Sequence, residues 1–235
     1  MFSKFQNIAI ITLLLLTACS KDQNSAPENY NLYDYFPLEN NRFWIYQCDS
    51  IVHTDADDNN VPATDSTILY SYELKEQIDS SFIDGEGTLS YRISRYKRLS
   101  DSLPWQFINI WVAKLNLQNA ERVEDNYRFI KLSFPIKLNS IWNGNAKNIL
   151  QPEEYRYESI HLPIEINNLS FDSSVAVIQN DFSSIINRIY KKEIYAFKTG
   201  MIFKQADSLT LRSFTGQVTI LNGFEYRQSL LSFGF

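Results

Sequence analysis

The clearest potential for chemistry lies in Leu16-Thr17-Ala18-Cys19, which ends an apolar stretch near the start of the 235-residue chain. The stretch begins at Ile8, follows the basic residue Lys4, and is shorter than the roughly 20 residues that a helix needs to span a bilayer. The two small residues before the cysteine let a peptidase reach the bond that precedes it. The pattern predicts a signal peptide over residues 1–18, with Cys19 first in the mature chain.

This motif resembles the bacterial lipoprotein signal, in which the cysteine is acylated and becomes the new N-terminus. The resemblance implies a lipid anchor at Cys19, carrying acyl chains such as palmitate. Because each buried CH₂ contributes about 0.8 kcal/mol, several chains would hold the protein in the membrane permanently. The alternatives are an uncleaved anchor helix and an ordinary signal peptide with an unrelated cysteine.

Patterns for catalysis are scarce in the remaining sequence. Neither His53 nor His161 has a partner at metal-ligand spacing, no Gly-x-Ser-x-Gly occurs, and the seven glycines form no phosphate-binding loop. The run 55–60 (Asp-Ala-Asp-Asp-Asn-Asn) has the oxygen spacing of a calcium loop. An asparagine stands where that loop needs glycine, so we expect a solvated hairpin loop, no metal and no cofactor.

Paired carboxylates occur at Glu153-Glu154 and at Glu121…Glu124-Asp125. Glycoside hydrolases hold two carboxylates roughly 5 to 10 Å apart in a cleft. Neighbouring acids on a strand point to opposite faces, which favours solvated surface positions. A hydrolase using such a pair stays an alternative, and a non-catalytic protein is favoured.

Four Asp-Ser pairs precede an apolar residue or threonine, and they offer a further kind of chemistry. They resemble the O-glycosylation sequence of exported Bacteroidota proteins, which implies glycans on these serines. The alternative is that Asp-Ser suits turns and strand ends. The four candidates are Ser50, Ser66, Ser102 and Ser208.

The net charge of the chain limits the classes of partner that it is expected to bind. Cleavage removes one positive charge, Lys4, and no acid, so the formal net charge of −5 moves to −6. An acidic chain lacks the basic surface that nucleic acids and anionic lipids attract, so we expect no nucleic-acid partner and attachment through Cys19 alone. With Cys19 acylated, Cys48 has no disulfide partner and is predicted to be a buried small hydrophobe.

The elements that must position these residues are predicted to be strands. Alternation over Ser66–Ile78 puts Ile68, Tyr70, Tyr72 and Leu74 on one face. The segment Trp105–Leu117 is apolar on both faces, which predicts a covered central strand. Turns are expected at Asp84-Gly85, Thr199-Gly200 and Asn222-Gly223, and a helix could form near Asp181–Asn187.

The sequence therefore predicts a mainly β protein. We expect a tether over residues 19–32 and a single globular domain over residues 33–235, built as an antiparallel, strongly curved sheet or partly open barrel. Phe36-Pro37-Leu38 precedes Trp44 by the spacing with which Phe134-Pro135-Ile136 precedes Trp142. This repeat predicts two related half-sheets split near residue 133, unless the likeness is due to chance.

Two segments carry a wider resemblance. Phe36-Pro37-Leu38…Trp44-Ile45-Tyr46 and Glu193-Ile194-Tyr195-Ala196…Gly200-Met201-Ile202-Phe203-Lys204 are similar to segments of uncharacterised Bacteroidota outer-membrane lipoproteins. Those proteins carry glycine in the turn before the tryptophan. Here Asn40-Asn41 stands there, and asparagine also adopts left-handed backbone conformations. The resemblance implies an outer-membrane lipoprotein facing the periplasm or the outside, and it transfers no activity.

These observations favour a lipid-anchored envelope protein that acts as a non-catalytic binding or structural module. Fourteen tyrosines and four tryptophans suit stacking on a glycan, contact with a lipid or protein partner, or filling of the core. The alternatives are a glycan-active hydrolase and a subunit of an envelope complex.

Overall fold

A computed structural model describes residues 31–54, 66–214 and 217–235. The signal peptide, Cys19, all but the last two residues of the predicted tether and the acidic run 55–60 lie outside the described residues. The described chain begins with a short 3₁₀ helix, Leu32–Tyr35, capped by the side chain of Asn31.

Twelve strands follow the 3₁₀ helix. They are β1 (Phe43–Thr54), β2 (Ser66–Ile83), β3 (Leu89–Arg98), β4 (Gln106–Leu115), β5 (Asn119–Glu124), β6 (Tyr127–Ser133), β7 (Ile141–Asn143), β8 (Glu154–Ile166), β9 (Leu169–Ser183), β10 (Asn187–Ala196), β11 (Gly200–Phe214) and β12 (Gln217–Gly234).

All twelve strands belong to one antiparallel sheet in the order β6-β5-β4-β3-β2-β1-β12-β11-β10-β9-β8-β7. The sheet is nearly closed into a barrel with an unsealed seam, so the predicted fold class is confirmed. The helix predicted near 181–187 is wrong, because β9 runs to Ser183 and β10 starts at Asn187. Within the described residues, no helix is long and apolar enough to cross a membrane.

The seam lies between β6 and β7. Ile130 N donates to Gly144 O (2.9 Å), and side chains supply further bridges. Trp142 Nε1 donates to Ile130 O (2.9 Å), and the Tyr157 hydroxyl both accepts from Ser133 N and donates to Ser133 O. Side chains therefore occupy backbone groups that an open sheet edge would offer to another chain.

In chain order the sheet has two six-stranded halves, β1–β6 and β7–β12, which are joined by the pairing of β1 with β12. The predicted split near residue 133 coincides with the end of β6. Trp44 and Trp142 are the second residues of the first strand in each half. The Trp44 indole donates to Thr199 O (2.6 Å), and Trp142 donates to Ile130 O. Asn41, in the turn before Trp44, has φ 70°, as its residue type predicts.

Strand alternation separates an inward face from an outward face. Tyr46, Leu74 and Leu230 are buried and directly paired across β1, β2 and β12, so they define the inward face. On β4 the prediction of cover on both faces is wrong. Ile108 and Ile110 are each more than 40% exposed, because no second layer packs on the outer wall there.

The turn predicted at Asn222-Gly223 is wrong. The pair Asn222-Gly223 lies inside β12, beside a register shift between Thr210 and Leu211, and does not form a turn. Gly223 has φ 126°, and a Cβ atom placed on it would lie 2.1 Å from Ser208 O. Only glycine fits this close approach of two strands.

We expect Gly223→Ala to lower the free energy of unfolding by more than about 2 kcal/mol, since the added methyl group meets backbone and the φ angle is unfavourable. Chemical denaturation measures the change. The control is Gly85→Ala, where a Cβ would have nothing within 4 Å, and it should change stability by less than about 1 kcal/mol. Equal effects of the two substitutions would contradict this explanation.

Candidate functional site: the barrel lumen

One end of the lumen, called the base here, is sealed by the chain that precedes β1. The Tyr35 ring is fully buried, and its hydroxyl lies 2.8 Å from His161 Nδ1 and 2.6 Å from Ser173 Oγ. Phe36 packs near Tyr195 (ring centroids 6.0 Å apart). Beside Trp44 lies a cavity of about 30 Å³, which is room for a water molecule.

Above the base, seven charged side chains form an ionic belt within the barrel. Lys131 Nζ lies 2.7 Å from Glu193 Oε1 and 2.9 Å from Glu124 Oε1, so it joins β6 to β10 and β5. Lys204 lies 3.5 Å from the same two carboxylates. The members are Glu76, Arg95, Arg122, Glu124, Lys131, Glu193 and Lys204.

The second part of the belt centres on Glu76, which is almost completely buried. Arg95 Nε donates to Glu76 Oε1 (3.0 Å), and Arg122 donates to the other oxygen. Both guanidinium groups also lie over the Trp111 ring, at 3.5 and 4.8 Å from its centroid. Cations are thus held between a carboxylate and an aromatic face, which limits the cost of their burial.

The belt keeps its carboxylates ionised. Burial alone would raise the pKa of Glu193, but Lys131 and Lys204 outweigh it, and the pKa lies below its ordinary value. The same opposition of burial and nearby cations lowers the pKa of Glu124 and of Glu76. A carboxyl group that acts as a general acid needs a raised pKa, so these three residues are unsuited to proton donation.

The predicted carboxylate pairs do not come together. Glu121 faces the outer wall and Glu124 the lumen, because they lie at odd spacing on β5. Glu154 is exposed, whereas Glu153 Oε1 accepts from Asn180 (2.7 Å) and Lys191 (2.9 Å). Each of these acids has a separate surrounding, and none of the pairs forms a two-carboxylate cleft.

The end of the lumen opposite the base is called the mouth, and the described residues leave it open. On β2 the inward residues run from Leu74, which is 1% exposed, to Tyr70 (48%) and Ile68 (44%). Ile68 and Phe224 are the strand partners of Val52 on β2 and β12, so they lie on the same inward face. Phe224 is also 42% exposed. Among the residues that the structure describes, nothing packs closely over these inward apolar side chains.

Between the belt and the mouth lies Cys48, which is fully buried, as predicted. The Tyr226 hydroxyl donates to its sulfur (3.2 Å). Burial raises the pKa of the Cys48 thiol to about 12, so the thiolate required for nucleophilic chemistry is not formed near neutral pH.

The four predicted glycosylation serines have different surroundings. Ser102 lies in the exposed turn between β3 and β4, with Oγ 2.9 Å from Ser100 Oγ. Ser50 and Ser208 are partly buried within β1 and β11, and Ser66 is the first residue of β2. Of the three whose side chains are described, Ser102 is the one most open to an enzyme, and glycosylation stays a prediction.

The histidines are far apart in the fold. His53 Nε2 lies 3.0 Å from Glu225 Oε1 on the outer wall, and His161 belongs to the base. Burial lowers the pKa of His161, which favours its neutral ring beside the Tyr35 hydroxyl. In the described ranges no three His, Cys, Asp or Glu side chains group as a metal site would require.

The chain matches no known protein-family model, and a search of curated proteins finds no match. The lumen therefore has to be interpreted from its own residues. Sequence reasoning missed the ionic belt, whose signal was the presence of charged residues at inward positions of the strands, as with Arg122 on β5 and Glu193 on β10.

We expect Lys131→Met to destabilise the barrel by roughly 3–5 kcal/mol, because it leaves Glu124 and Glu193 buried with one cation fewer. Thermal and chemical unfolding measure the change. The control is Arg156→Met, which breaks the exposed pair with Asp181 (3.5 Å) and should cost less than about 1 kcal/mol. Comparable losses in both variants would show that the belt is not a special contributor.

Proposed function

We propose that this protein is a lipid-anchored protein of the outer membrane that binds a small ligand, without catalysis, through the mouth of its barrel. The observation that carries the proposal is the fall in burial along three adjacent strands, from Leu74 on β2 and Leu230 on β12 to Ile68 and Phe224. These apolar side chains line a concave surface. A concave apolar surface with polar groups beneath it is the usual form of a small-molecule site.

The width of the barrel supports this proposal. Side chains just fill the lumen of an eight-stranded barrel or leave space for one small ligand, and the lumen widens with strand number. Twelve strands therefore give a wider lumen than eight. The ligand would therefore enter from the mouth and rest above the belt, with its apolar part against Ile68, Tyr70 and Phe224.

The position of the predicted anchor agrees with this orientation. The tether would join the barrel at Leu32, beside the sealed base, and residues 20–31 can reach at most about 40 Å when extended. An anchor at Cys19 would thus keep the base within about 40 Å of the membrane. The outer-membrane location rests on the resemblance of the signal and of two segments to Bacteroidota lipoproteins.

Binding is favoured over hydrolysis because of the charge state of the lumen. Glycoside hydrolysis needs one carboxyl group that stays protonated and one that is ionised. Glu76, Glu124 and Glu193 are all held ionised by adjacent cations. Their strongly paired oxygens serve the stability of the barrel.

We expect the chain from Ser20 onward, which retains every described residue, to bind the apolar fluorophore N-phenyl-1-naphthylamine saturably. Ile68→Asn should weaken this binding by roughly tenfold, since it replaces an apolar wall of the mouth. Fluorescence titration measures the affinity.

The matched control for this titration is Leu69→Asn. Leu69 is the next residue on β2, is 73% exposed, and points to the outer wall. It should leave the affinity within about twofold of the native value. Absence of saturation in the native protein, or equal losses in the two variants, would refute binding at the mouth.

For the anchor, we expect cells supplied with an alkyne analogue of palmitate to label the native protein and the Cys48→Ser variant, but not Cys19→Ser. Cys19 is the predicted acylation site, whereas the Cys48 thiol is buried. Gel fluorescence after coupling to a dye measures the label. A label that persists in Cys19→Ser, or that disappears in Cys48→Ser, would exclude the proposed anchor.

A further inference from the structure

A row of inward side chains crosses the lumen at the level where the ionic belt gives way to the mouth. Tyr72, Cys48, Gln228 and Lys204 are direct strand partners across β2, β1, β12 and β11, so they lie side by side on the inward face. Tyr72 is the next inward residue after Tyr70 on β2, which places the row beneath the apolar side chains of the mouth. A ligand that enters the mouth would meet this row as its floor.

Lys97 adds a second cation at the β3 end of the row. It is the strand partner of Leu74, which is buried on the inward face, so the lysine side chain also points inward. Its Nζ lies over the Tyr72 ring, 4.0 Å from the centroid, and the side chain keeps partial contact with solvent. No carboxylate among the described residues forms an ion pair with Lys97, whereas every cation of the belt has at least one such partner.

The belt does not supply the missing negative charge. It holds four cations and three carboxylates, and Asp125, which accepts from Trp111 Nε1 (3.4 Å), adds a fourth carboxylate beside it. These charges cancel, so Lys97 is left as a single excess positive charge at the floor of the mouth.

Gln228 supplies a second donor without an acceptor. It is 3% exposed, and its Oε1 accepts from the Tyr226 hydroxyl (3.0 Å). Its Nε2 is buried and has no hydrogen-bond partner among the described residues. A buried amide N–H without an acceptor is costly, so the floor has donors to spare and lacks an acceptor for them.

These two donors select the charge of the polar end of a ligand. An ammonium group would be repelled by Lys97 and Lys204, and an uncharged hydroxyl or water would leave the charge of Lys97 unbalanced. A carboxylate balances that charge, and its two oxygens can accept from an ammonium and from an amide together. One carboxylate also matches a single excess charge better than a phosphate monoester, which carries about −1.5 to −2 at neutral pH.

The surface above the floor suits an alkyl chain. Tyr70 and Ile68 follow Tyr72 on the inward face of β2, and Phe224 lies on the same face of β12. From Tyr72 to Ile68 the strand extends over roughly 13 Å. A chain that starts from a head group at Lys97 would therefore meet aromatic and aliphatic side chains until it reaches the rim.

We infer that the ligand of the mouth is a fatty acid, whose carboxylate accepts from Lys97 Nζ beside Gln228 and whose alkyl chain extends outward past Tyr70, Ile68 and Phe224. The inference rests on the proposed function, because it assigns the class of ligand that the same site takes.

The test is a calorimetric titration of the chain from Ser20 onward with ligands of equal chain length, each kept below its micelle-forming concentration. The ligands are dodecanoate, dodecan-1-ol, dodecylammonium and dodecyl phosphate. Dodecanoate should bind saturably and about tenfold more tightly than the alcohol or the ammonium ligand, since only its head group both balances Lys97 and accepts from it. Dodecyl phosphate should bind no more tightly than dodecanoate.

Lys97→Met removes the excess charge and keeps an unbranched side chain. It should weaken dodecanoate binding by about tenfold and leave dodecan-1-ol within about twofold of its native affinity. The matched control is Lys75→Met. Lys75 is also partly buried and lies over an aromatic ring, that of Phe43 at 5.5 Å, but it points to the outer wall of β2 between Leu74 and Glu76. This control should bind both ligands as the native protein does.

The inference is overturned if dodecanoate does not saturate the protein, or if any of the other three ligands binds as tightly or, for the phosphate, more tightly. Native affinity of Lys97→Met for dodecanoate would overturn it as well. In each of these cases, saturable binding of N-phenyl-1-naphthylamine that Ile68→Asn weakens would still support the mouth as a binding site. Failure of the fatty-acid assignment and failure of the proposed function are therefore distinguishable.

Discussion

The ion pairs that Lys131 makes inside the barrel are the interactions on which its closed shape most depends. Backbone pairing holds each half of the sheet, but it nearly ceases at the seam, where Ile130 N bonds to Gly144 O and side chains supply other bridges. Lys131, on the last strand before the seam, reaches across the lumen to Glu193 on β10. This ion pair across the lumen restrains the sheet at the seam, where few backbone hydrogen bonds join the strands.

The ionic belt also helps to fill the interior of the barrel. A twelve-stranded barrel has an interior too wide to be filled by aliphatic side chains alone. Long side chains, among them Tyr46, Tyr155 and Arg122, reach the centre, and the charged ones must then be paired because they are withdrawn from water. The belt lies between the sealed base and the accessible mouth, so the two ends of the barrel differ.

Much of the fold could be predicted from local patterns. The alternation over Ile68–Leu74 assigned its two faces as the sheet has them, the spacing of Trp44 and Trp142 marked the first strand of each half, and Asn41 adopts a left-handed conformation. These features depend on residues within a few positions of one another. Charge pairing does not, since Lys131 and Glu193 are 62 residues apart and nothing local relates them.

The incorrect predictions also concern features that depend on residues far apart in the sequence. Asn222-Gly223 has the composition of a turn, yet the glycine is needed because Ser208 of a neighbouring strand approaches it. Apolar residues on both faces of β4 predicted a covering layer, but the sheet closes on itself and leaves Ile108 and Ile110 on its outside. The burial of Glu121 Oε2 without a hydrogen-bond donor depends on how the β2–β3 turn folds over three strands, which composition alone does not reveal.

The placement of β12 between β1 and β11 has a consequence for how the protein is made. Among the described strands, the last in chain order, β12, is the one that joins the two halves. Until it arrives, β1 and β11 each present a long unpaired edge in the middle of the future sheet, whereas the edges that stay free in the finished protein, β6 and β7, come from the middle of the chain. A chain truncated before residue 217 would keep both central edges open, a condition that promotes association between strands of different molecules. The barrel therefore closes only when β12 pairs with both of its neighbours.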